Sequence, residues 1–575
     1  MDAAPDPKFH AIEQEIAVLS GATGAWARLA PVDLLPLLEQ LRWNALSSAA
    51  NWVAQSAEAK GLPEASPLRG EEWLSGPYAL ISAINALIRS LSNLAKDRSP
   101  VAGLTVRTLD NGRTAISVLP TSLRERVLFS GYSAEVWMEH GVTKENLTKH
   151  AARRFRTSVQ PGVTLILGAG NINAIPVLDA LYKMIIEGQV CLVKLSPVND
   201  YLLDTFNTIF APLVGPGYIR FVTGNAGVGS RLCEHPEVHS IHLTGTLKTH
   251  DTIVFGAGRD GARRKEARAP RNPRPITSEL GGVSASIVVP GTWSDADFRF
   301  QAEHLVTQKL HNGGFNCTAS QLVILPAGWD GSVRLLQHLR QVLQEVVDQR
   351  PSFYPGTEER RQAVLTAHPR AQVIGTRAPF LLVEHLNPDA DDMLYREEAF
   401  GPVWGILDLR YSTVDEYIAR AVEFANRKLM GSLACQLIVH PRTSREHREA
   451  LENAINDLKY GCVGVNAWSG VGFALPMARW GAFPGHLPHD AQSGIGVVHN
   501  ALMLERTEKL VLRGPFQPFP RTVSRGRLHT SPKPIWFVTH RGAARAAEAL
   551  TRLEATGNLG QYAQAVRAAF DHGGG

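Results

Sequence analysis

Between residues 162 and 246 the sequence alternates between short apolar runs and helical runs, and this alternation constrains the fold more than any other feature. The run GVTLILGAGN predicts a strand ending in a glycine-rich turn, and AIPVLDALYKMIIEG predicts the helix that follows it. Three later runs predict further strands: QVCLVKLS, GYIRFVTG and VHSIHLTGT. Strands and helices alternating at this spacing predict an α/β domain built on a doubly wound parallel sheet.

Polar residues stand where these predicted strands end. Asn171 follows the first strand, residues 194–196 end the second, and residues 244–246 end the last. In sheets of this kind ligands bind at the carboxyl ends of the strands, so these residues are candidates for a ligand site.

The flanking regions have different patterns. Residues 11–100 have apolar side chains at helical spacing, and residues 134–155 are predicted to be helical as well. Between them, two β-branched runs flank Asp110, Asn111 and Gly112, which predicts a hairpin because the turn needs residues that tolerate positive φ. A second strand–helix series after residue 284 predicts another α/β unit.

Composition argues against several classes of protein. The chain has 575 residues, 44% of them apolar and 20% charged, as is ordinary for a globular protein. The amino terminus does not look like a secretory signal, and no apolar run is long enough for a membrane span. The five cysteines are sparse and form no C-x-x-C pair, which favours a reducing, cytoplasmic location and argues against a thiolate metal site. The histidine-containing runs HPEVHSIH and GHLPHD are more typical of core or surface histidines, so no metal is predicted.

The net charge of +5 raises the possibility of nucleic-acid binding. The residues from Arg521 onward contain eight Lys or Arg and three Asp or Glu, so this tail alone accounts for the excess. A second basic stretch, residues 258–275, is rich in Arg, Pro and Gly and is predicted to be a solvated loop. An exposed tail and loop are the favoured interpretation, and no nucleic-acid partner is predicted.

The segment NGGFNCTASQLVIL places Cys317 among glycine, asparagine and threonine, just before an apolar strand. On this stretch alone two interpretations stay open: a small buried apolar side chain, or a nucleophile at the mouth of a cleft. Glu279, which precedes Gly281 and Gly282, is by itself typical of a surface carboxylate before a turn.

The order of these segments resembles the aldehyde dehydrogenase superfamily. The family pattern has an Asn after a strand, then K-P-S-E-like, T-G-S, E-L-G-G, G-Q-x-C and E-x-F-G-P-V segments. This chain has GAGN, KLSP, TGT, ELGG, GFNC and EAFGPV in the same order, followed by GCVGVNAW, which is similar to a later family strand. The resemblance runs from about residue 162 to 466. Each motif is weak alone, but six in order make an accidental agreement improbable.

The resemblance implies an aldehyde-dehydrogenase-like α/β fold. Residues 1–280 would form the N-terminal helical region and a Rossmann-like NAD(P)-binding domain, and residues 281–480 a second α/β domain with the catalytic cysteine. Residues 481–520 would return to the first domain and supply a β oligomerisation strand, and residues 521–575 would be a basic extension. A homodimer or homotetramer is implied, with the hairpin at Gly112 or the run ALMLERTEKLVL as the pairing edge.

The resemblance also implies oxidation of an aldehyde with NAD or NADP. Cys317 would be the nucleophile, with a pKa lowered by its surroundings, and the Asn171 amide and the Cys317 backbone N–H would bind the oxyanion. Glu279 would be the general base that hydrolyses the thioester. The cofactor would be bound by Lys194, Ser196, Thr244, Gly245, Thr246, Glu398 and Phe400.

Several departures mark a divergent branch. Pro197 stands where the family has an acidic ribose ligand, and the loss of that carboxylate makes NADP plausible, with Lys194 as the phosphate partner. Leu322 stands where an arginine is common, and the tail after about residue 516 has no counterpart in the family pattern. The tail is therefore predicted to serve assembly or a partner, and the aldehyde is left open.

Two other functions stay open. One is a coenzyme-A-linked acylating dehydrogenase or fatty-acyl reductase, because GAGNINAIPVLDALY has some similarity to that branch. Glu279 argues for hydrolysis instead. The other is a non-catalytic scaffold, against which the complete residue set argues. Trp468, Phe473 and Trp480 are predicted either to line a substrate tunnel or to pack in the core.

Overall fold

The computed structural model describes residues 7–519 and 532–570 of the chain. In chain order, the α-helices are α1 Pro7–Ala27, α2 Pro31–Ala59, α3 Arg69–Trp73, α4 Ala79–Leu94, α5 Leu123–Leu128, α6 Ile175–Leu181, α7 Leu203–Ile209, α8 Ala211–Val214, α9 Ala226–Glu234, α10 Leu247–Phe255, α11 Gly258–Glu266, α12 Asp295–Leu310, α13 Asp330–Val346, α14 Thr357–Ala367, α15 Met393–Arg396, α16 Val414–Lys428, α17 Pro441–Glu446, α18 Arg448–Asp457, α19 Gly470–Phe473, α20 Ala543–Thr556 and α21 Leu559–Phe570. Within these described ranges, no helix has the length and apolarity that a bilayer crossing requires.

The strands divide between two large sheets and one small one. In chain order they are β1 Val106–Thr108, β2 Thr114–Leu119, β3 Ser133–Met138, β4 Val163–Leu167, β5 Val190–Lys194, β6 Ile219–Val222, β7 Val238–Gly245, β8 Ile276–Leu280, β9 Ala285–Val288, β10 Leu322–Pro326, β11 Gln372–Ile374, β12 Phe380–Leu386, β13 Val403–Leu409, β14 Ala434–Ile438, β15 Cys462–Val465, β16 Arg479–Trp480, β17 Gly494–Ile495, β18 Val498–His499 and β19 Thr507–Arg513.

The first large sheet has the strand order β17-β8-β7-β4-β5-β6. Strands β4 to β8 run parallel, and only β17 is antiparallel. Every residue of β5 is buried, as expected for a parallel strand covered on both faces. The prediction of a doubly wound parallel sheet in this region is confirmed.

The second large sheet has eleven strands in the order β1-β2-β3-β19-β15-β14-β9-β10-β13-β12-β11. The strands from β19 to β12 are parallel, whereas β1, β2, β3 and β11 pair antiparallel. The predicted second α/β unit is therefore present. Because β8 belongs to the first sheet and β9 to the second, the chain passes between the two sheets immediately after Glu279.

The predicted hairpin is present, with Gly112 at φ 80° in the turn between β1 and β2. Strand β19 lies inside the sheet, paired antiparallel with β3 and parallel with β15 of the same chain. The backbone groups of β19 therefore form hydrogen bonds within this chain on both sides of the strand. Of the two segments predicted to join subunits, only the hairpin strand β1 lies at an edge of its sheet.

Two local predictions are wrong. Residues 134–155 were expected to be helical, but residues 133–138 form strand β3, because Ala134, Val136 and Met138 are buried between β2 and β19. The basic stretch 258–275 was expected to be a loop, but its first half is helix α11. Exposed ion pairs of Asp260 with Arg263 and Arg264, three and four residues on, contribute to that helix.

The C-terminal segment 532–570 packs into the body of the protein, contrary to the prediction of a separate tail. Helix α20 lies so close to α3 that a Cβ on Gly70 would come within 2.7 Å of the Ala543 carbonyl carbon. Phe537 lies against Phe300 and His304 of α12, with ring centroids 5.2 and 5.5 Å away. The most basic part of the tail, including Arg521, lies outside the described residues.

Candidate active site

The loop that carries Cys317 is shaped by three residues in the left-handed region. Helix α12 ends at Leu310 and is capped by His311, and Asn312, Gly313 and Gly314 follow with φ of 56°, 67° and 84°. A side chain at Gly314 would collide with the backbone, since its Cβ would lie 2.7 Å from the carbonyl oxygen of Gly401. These two glycines therefore let the chain turn sharply and deliver Cys317 ahead of β10.

Asn171 is tied directly to this loop. Its amide nitrogen Nδ2 donates to the carbonyl oxygen of Phe315 at 3.1 Å. The Asn312 amide nitrogen donates to the same oxygen at 3.0 Å and to the Asn171 carbonyl at 2.9 Å. The two segments predicted to share an oxyanion site are thus held together.

The thiol of Cys317 is not activated in the way the sequence suggested. A lowered pKa was expected, but burial raises the pKa of Cys317, and the negative charges of Glu398 and Glu279 raise it further. Its own N–H and that of Thr318 act in the opposite direction with smaller effect. The thiol is therefore protonated at neutral pH, and it needs a base to become a nucleophile.

Glu279 is a buried acid without a hydrogen-bond partner. It lies on β8 with 7% of its surface exposed, and neither carboxyl oxygen has a partner among the described residues. Burial first, and the Asp179 charge second, raise its pKa well above the usual range, while Arg479 and Lys183 oppose the shift. A strongly perturbed, unpartnered acid close enough to influence a cysteine is typical of a proton-transfer site.

Glu398 occupies space that a glycine leaves free. A Cβ on Gly281 would lie 1.7 Å from a Glu398 carboxyl oxygen, so the ELGG and EAFGPV motifs fit each other physically. Burial raises the pKa of Glu398 to about 8 and lowers that of nearby Lys309 to about 7. The Lys309 amine donates to the Gln321 side chain at 2.9 Å, while Glu398 Oε1 has no partner among the described residues.

An aromatic cluster lies between Glu398 and the cysteine loop. Phe400 packs 5.7 Å from Phe315 and 5.1 Å from Tyr354, measured between ring centroids. Phe315 is two residues before Cys317. The cluster therefore provides an apolar surface beside the thiol and the Glu398 carboxylate.

The carboxyl edge of the first sheet presents the other predicted ligand residues. A Cβ on Gly170 would lie 2.6 Å from Ser196 Oγ, so the turns after β4 and β5 are in close contact. The Lys194 side chain lies at this edge, and burial lowers its pKa. Thr246 begins helix α10, accepting from the Thr249 N–H at 3.2 Å, and Gly245 beside it is exposed.

Thr244 differs from its neighbours because its hydroxyl is already used. It donates to a carboxyl oxygen of buried Asp179 at 2.7 Å, and the His242 ring lies 3.3 Å from the same oxygen. An exposed helix N-terminus, a lysine and close glycine turns fit the phosphates and ribose of a dinucleotide. Lys194, Ser196, Gly245 and Thr246 lie along this edge of the sheet, whereas the Thr244 hydroxyl is bound to Asp179.

Sequence reasoning missed a buried charge network behind the cysteine loop. Glu71 accepts from the Asn312 N–H at 2.6 Å and from Arg350 at 2.7 Å. The Lys60 amine donates to Glu72 at 2.7 Å and to the Asn312 side chain at 2.8 Å. No single one of these residues stands out in sequence, and they come from three distant regions. The network fixes the left-handed Asn312 that shapes the loop.

We expect Glu71→Gln to lower the free energy of unfolding by about 3 to 5 kcal/mol, because it leaves the buried Arg350 without its counter-charge. The measurement is a urea titration followed by tryptophan fluorescence. Glu64→Gln is the control, since Glu64 is exposed and lies a few residues earlier in the chain. Equal stability of the two variants would contradict a structural role for the network.

A cavity of about 320 Å³ reaches Cys317 and is large enough for a small-molecule ligand, since such pockets have roughly 300–1,000 Å³. Trp468, Phe473 and Trp480 all line it. The Trp468 ring nitrogen donates to the carbonyl oxygen of Thr318 at 3.4 Å, next to the cysteine. Both interpretations of these aromatic residues hold, because they line the cavity while Trp480 and Phe473 also pack in an apolar core cluster.

Part of this chain is similar to a family of known proteins. Residues 85–349 match the model of the aldehyde dehydrogenase family. Geranial dehydrogenase from Castellaniella defragrans is 30% identical over 297 residues, which cover 48% of this chain and 56% of that protein. Betaine aldehyde dehydrogenase 2 from Rhizobium meliloti is 29% identical over 328 residues, covering 54% and 62% respectively. The chain thus spans somewhat more than half the length of these curated relatives.

Solved structures extend the similarity of fold over most of the chain. Lactaldehyde dehydrogenase from Escherichia coli has a TM-score of 0.58 at 17% identity, covering 88% of this chain and 92% of that one. An aldehyde dehydrogenase C mutant from Pseudomonas syringae, complexed with NAD⁺ and octanal, has a TM-score of 0.59 at 17% identity and covers 88% and 90%. The two large sheets are therefore arranged in the α/β fold of these enzymes.

Proposed function

This chain carries an aldehyde dehydrogenase family domain, and on that premise we propose that it oxidises an aldehyde to a carboxylic acid with NAD or NADP. The observation that carries the proposal is the convergence of four residues at one site. Cys317 lines the cavity, the Asn171 amide is bound to the cysteine loop, and both Glu279 and Glu398 lie near enough to raise the pKa of the thiol. Their chemistry is that of a thiol attack on a carbonyl.

In the first step the Cys317 sulfur attacks the aldehyde carbonyl carbon. The thiol first loses its proton to solvent, because the thiolate is the attacking form, and Glu279 is left free for the later hydrolysis. The carbonyl oxygen becomes an oxyanion, which accepts from the backbone N–H of Cys317 and from the Asn171 amide. One amide hydrogen of Asn171 is bound to Phe315, so its second N–H serves this role.

Bound NAD or NADP supplies the hydride acceptor in this proposal. Lys194, Ser196 and the N-terminus of α10 would hold its adenosine and diphosphate parts at the carboxyl edge of the first sheet. Glu398 has an unpartnered oxygen to accept from ribose hydroxyls, and Phe400 offers an apolar face. The oxidised nicotinamide ring is positively charged, and such a charge close to Cys317 would also offset the two carboxylates that raise the pKa of the thiol.

Loss of hydride from the thiol adduct leaves a thioester on Cys317. Glu279 then takes a proton from the water that attacks the thioester carbon, and the acid leaves as the cysteine sulfur is released. The absence of any other partner for the Glu279 carboxyl among the described residues supports this role, because the group is free to hold a water.

The coenzyme-A-linked alternative uses the same thioester. There the acyl group passes from Cys317 to an external thiol. The apolar cavity suits an acyl chain in both the hydrolytic and the coenzyme-A-linked reaction. The buried acid at residue 279 favours hydrolysis, because transfer to a thiolate has less need of a base.

The overall activity is tested by incubating the protein with a panel of aldehydes and either cofactor. We expect an increase in absorbance of the reduced cofactor and a carboxylic acid product identified by mass spectrometry. The Cys317→Ala variant is the control. No reduction with any aldehyde would reject the proposal and favour a non-catalytic scaffold.

We expect Pro197→Glu to weaken NADP binding about tenfold more than NAD binding, because the new carboxylate repels the 2′-phosphate. Pro197 is exposed beside Lys194 and Ser196, so the new side chain would stand at the proposed ribose site. The dissociation constants of both cofactors are measured by fluorescence titration, with Pro197→Gln as the uncharged control. If the two substitutions gave the same NADP/NAD ratio, the assignment of this turn to the ribose would be wrong.

Assembly, location and domain roles complete the proposal. A homodimer or homotetramer could pair through β1, which lies at the edge of the eleven-stranded sheet. All five cysteines are free, which supports a reducing compartment such as the cytoplasm. Residues 1–280 would chiefly bind the cofactor and residues 281–480 would carry the nucleophile.

A further inference from the structure

One wall of the cavity at Cys317 is formed by the C-terminal segment 532–570. Ile535, Trp536, Leu550 and Glu554 line the same cavity as the cysteine. The sequence motifs that suggest chemistry all lie before residue 467, so this segment has no part in the proposed hydride transfer. We therefore expect this segment to affect which substrate binds in the cavity.

The segment is fixed in place by contacts with other elements of the cavity wall. The Asn85 amide nitrogen donates to the Glu554 carbonyl at 2.8 Å and to its carboxylate at 2.9 Å. Arg124 pairs with the same carboxylate at 3.3 Å, and the Trp536 ring lies 5.9 Å from that of Tyr132. Because Asn85 and Arg124 also line the cavity, the wall is continuous with α4 and α5.

Most of the remaining lining is apolar. Phe129, Ile172, Ile175 and Leu475 contribute to it, along with Trp468 and Phe473. Such a lining gains free energy from each hydrocarbon group that it removes from water and offers little to a polar chain.

The charged groups of the lining are satisfied within the protein. Arg124 and Glu554 form an ion pair, and Glu125 accepts from the N–H and hydroxyl of Thr121. Arg89 donates to the Thr121 hydroxyl and lies 3.5 Å from the Met477 sulfur. The two acids and two arginines of the lining balance in charge and each has a partner within the protein, so the cavity suits an uncharged chain better than a charged one.

We propose that residues 532–570 form a selectivity wall and that the substrate is an aldehyde with a long, uncharged hydrocarbon chain. This inference rests on the proposed oxidation of an aldehyde. Each methylene buried against the wall raises kcat/KM about fourfold, until the chain fills the cavity.

The test compares propanal, hexanal and decanal as substrates of the full-length protein and of Leu550→Trp. The larger side chain at residue 550 occupies part of the cavity. We therefore expect kcat/KM for decanal to fall at least tenfold, while that for propanal changes less than twofold. Arg552→Trp is the matched control, because Arg552 lies on the same helix α20 but is exposed. A second variant, Trp536→Ala, enlarges the cavity and should raise kcat/KM for dodecanal relative to that for decanal.

Several results would overturn the proposal: no increase in kcat/KM with chain length in the wild type, equal loss on propanal and decanal in Leu550→Trp, or a preference for succinic semialdehyde, whose far end is a carboxylate. Binding of decan-1-ol by calorimetry separates this inference from the activity. Suppose that no aldehyde is oxidised but the alcohol binds the wild type at least tenfold more tightly than Leu550→Trp. The selectivity wall is then supported, and the proposed oxidation is rejected. Equal binding to both proteins would reject the wall.

Discussion

Cys317→Ser is expected to lower kcat/KM for aldehyde oxidation by a factor on the order of 10⁴ or more, or about 5 kcal/mol of transition-state stabilisation. A neutral hydroxyl is a far poorer nucleophile than a thiolate, and the carboxylates that raise the pKa of the thiol would disfavour ionisation of the hydroxyl as well. The measurement is the initial rate of cofactor reduction at aldehyde concentrations well below KM. Cofactor affinity should change little, because no predicted cofactor contact is removed.

Cys233→Ser is the matched control. Cys233 is buried in α9 outside the cavity, so its replacement should leave the rate near that of the wild type. Turnover of Cys317→Ser within a few-fold of the wild type would show that another group is the nucleophile. A loss that occurred equally in both variants would indicate damaged folding instead.

The parallel sheets were predictable because their signal is local. In β4 and β5, apolar runs, glycine turns and helical runs follow one another within a few tens of residues, and each step has its own pattern. Strand β3 was missed because its neighbours, β2 and β19, are far apart in the chain. What makes residues 133–138 a strand is pairing on both sides, and no window of sequence contains that information.

For the candidate site, the sequence supplied the residue set but not its electrostatics. The order of motifs brought together Asn171, Glu279, Cys317 and Glu398. The direction of the thiol pKa depends on how deeply the thiol and both carboxylates are buried, which three separate elements decide. A lowered pKa was expected from chemistry alone, and the structure has the opposite shift.

The C-terminal segment was misjudged for a related reason. Its net positive charge and proline-rich beginning are typical of an exposed extension. The apolar face of α20, with Ala546, Ala547 and Leu553 buried, is set by contact with α3 and α4, nearly 500 residues earlier. The composition of the whole tail combines its basic beginning with the amphipathic helix α20. The average therefore gave no sign that α20 packs against the protein.

Glu279→Gln is expected to stop turnover after one cycle and so to separate hydrolysis from acyl transfer. If another group can take the Cys317 proton, attack and hydride loss occur once, and reduced cofactor appears as a burst near one equivalent per site. The thioester then persists, because attacking water has lost its base. Stopped-flow absorbance gives the burst, and mass spectrometry should find an acyl adduct on Cys317. Glu237→Gln, at an exposed position, is the control.

The pH dependence sharpens this test. Burial raises the pKa of the Glu279 carboxyl well above its usual range, so the carboxylate, which is the form that acts as a base, becomes more populated as pH rises through that raised pKa. The steady-state rate of the wild type should therefore increase as pH rises through this pKa, and the glutamine variant should lack that increase in its deacylation rate. Loss of the burst would mean that Glu279 also activates the thiol. Steady turnover at the wild-type rate, stimulated by coenzyme A, would reject hydrolysis and assign the chain to the acyl-transferring branch, because an external thiolate resolves the thioester without a general base.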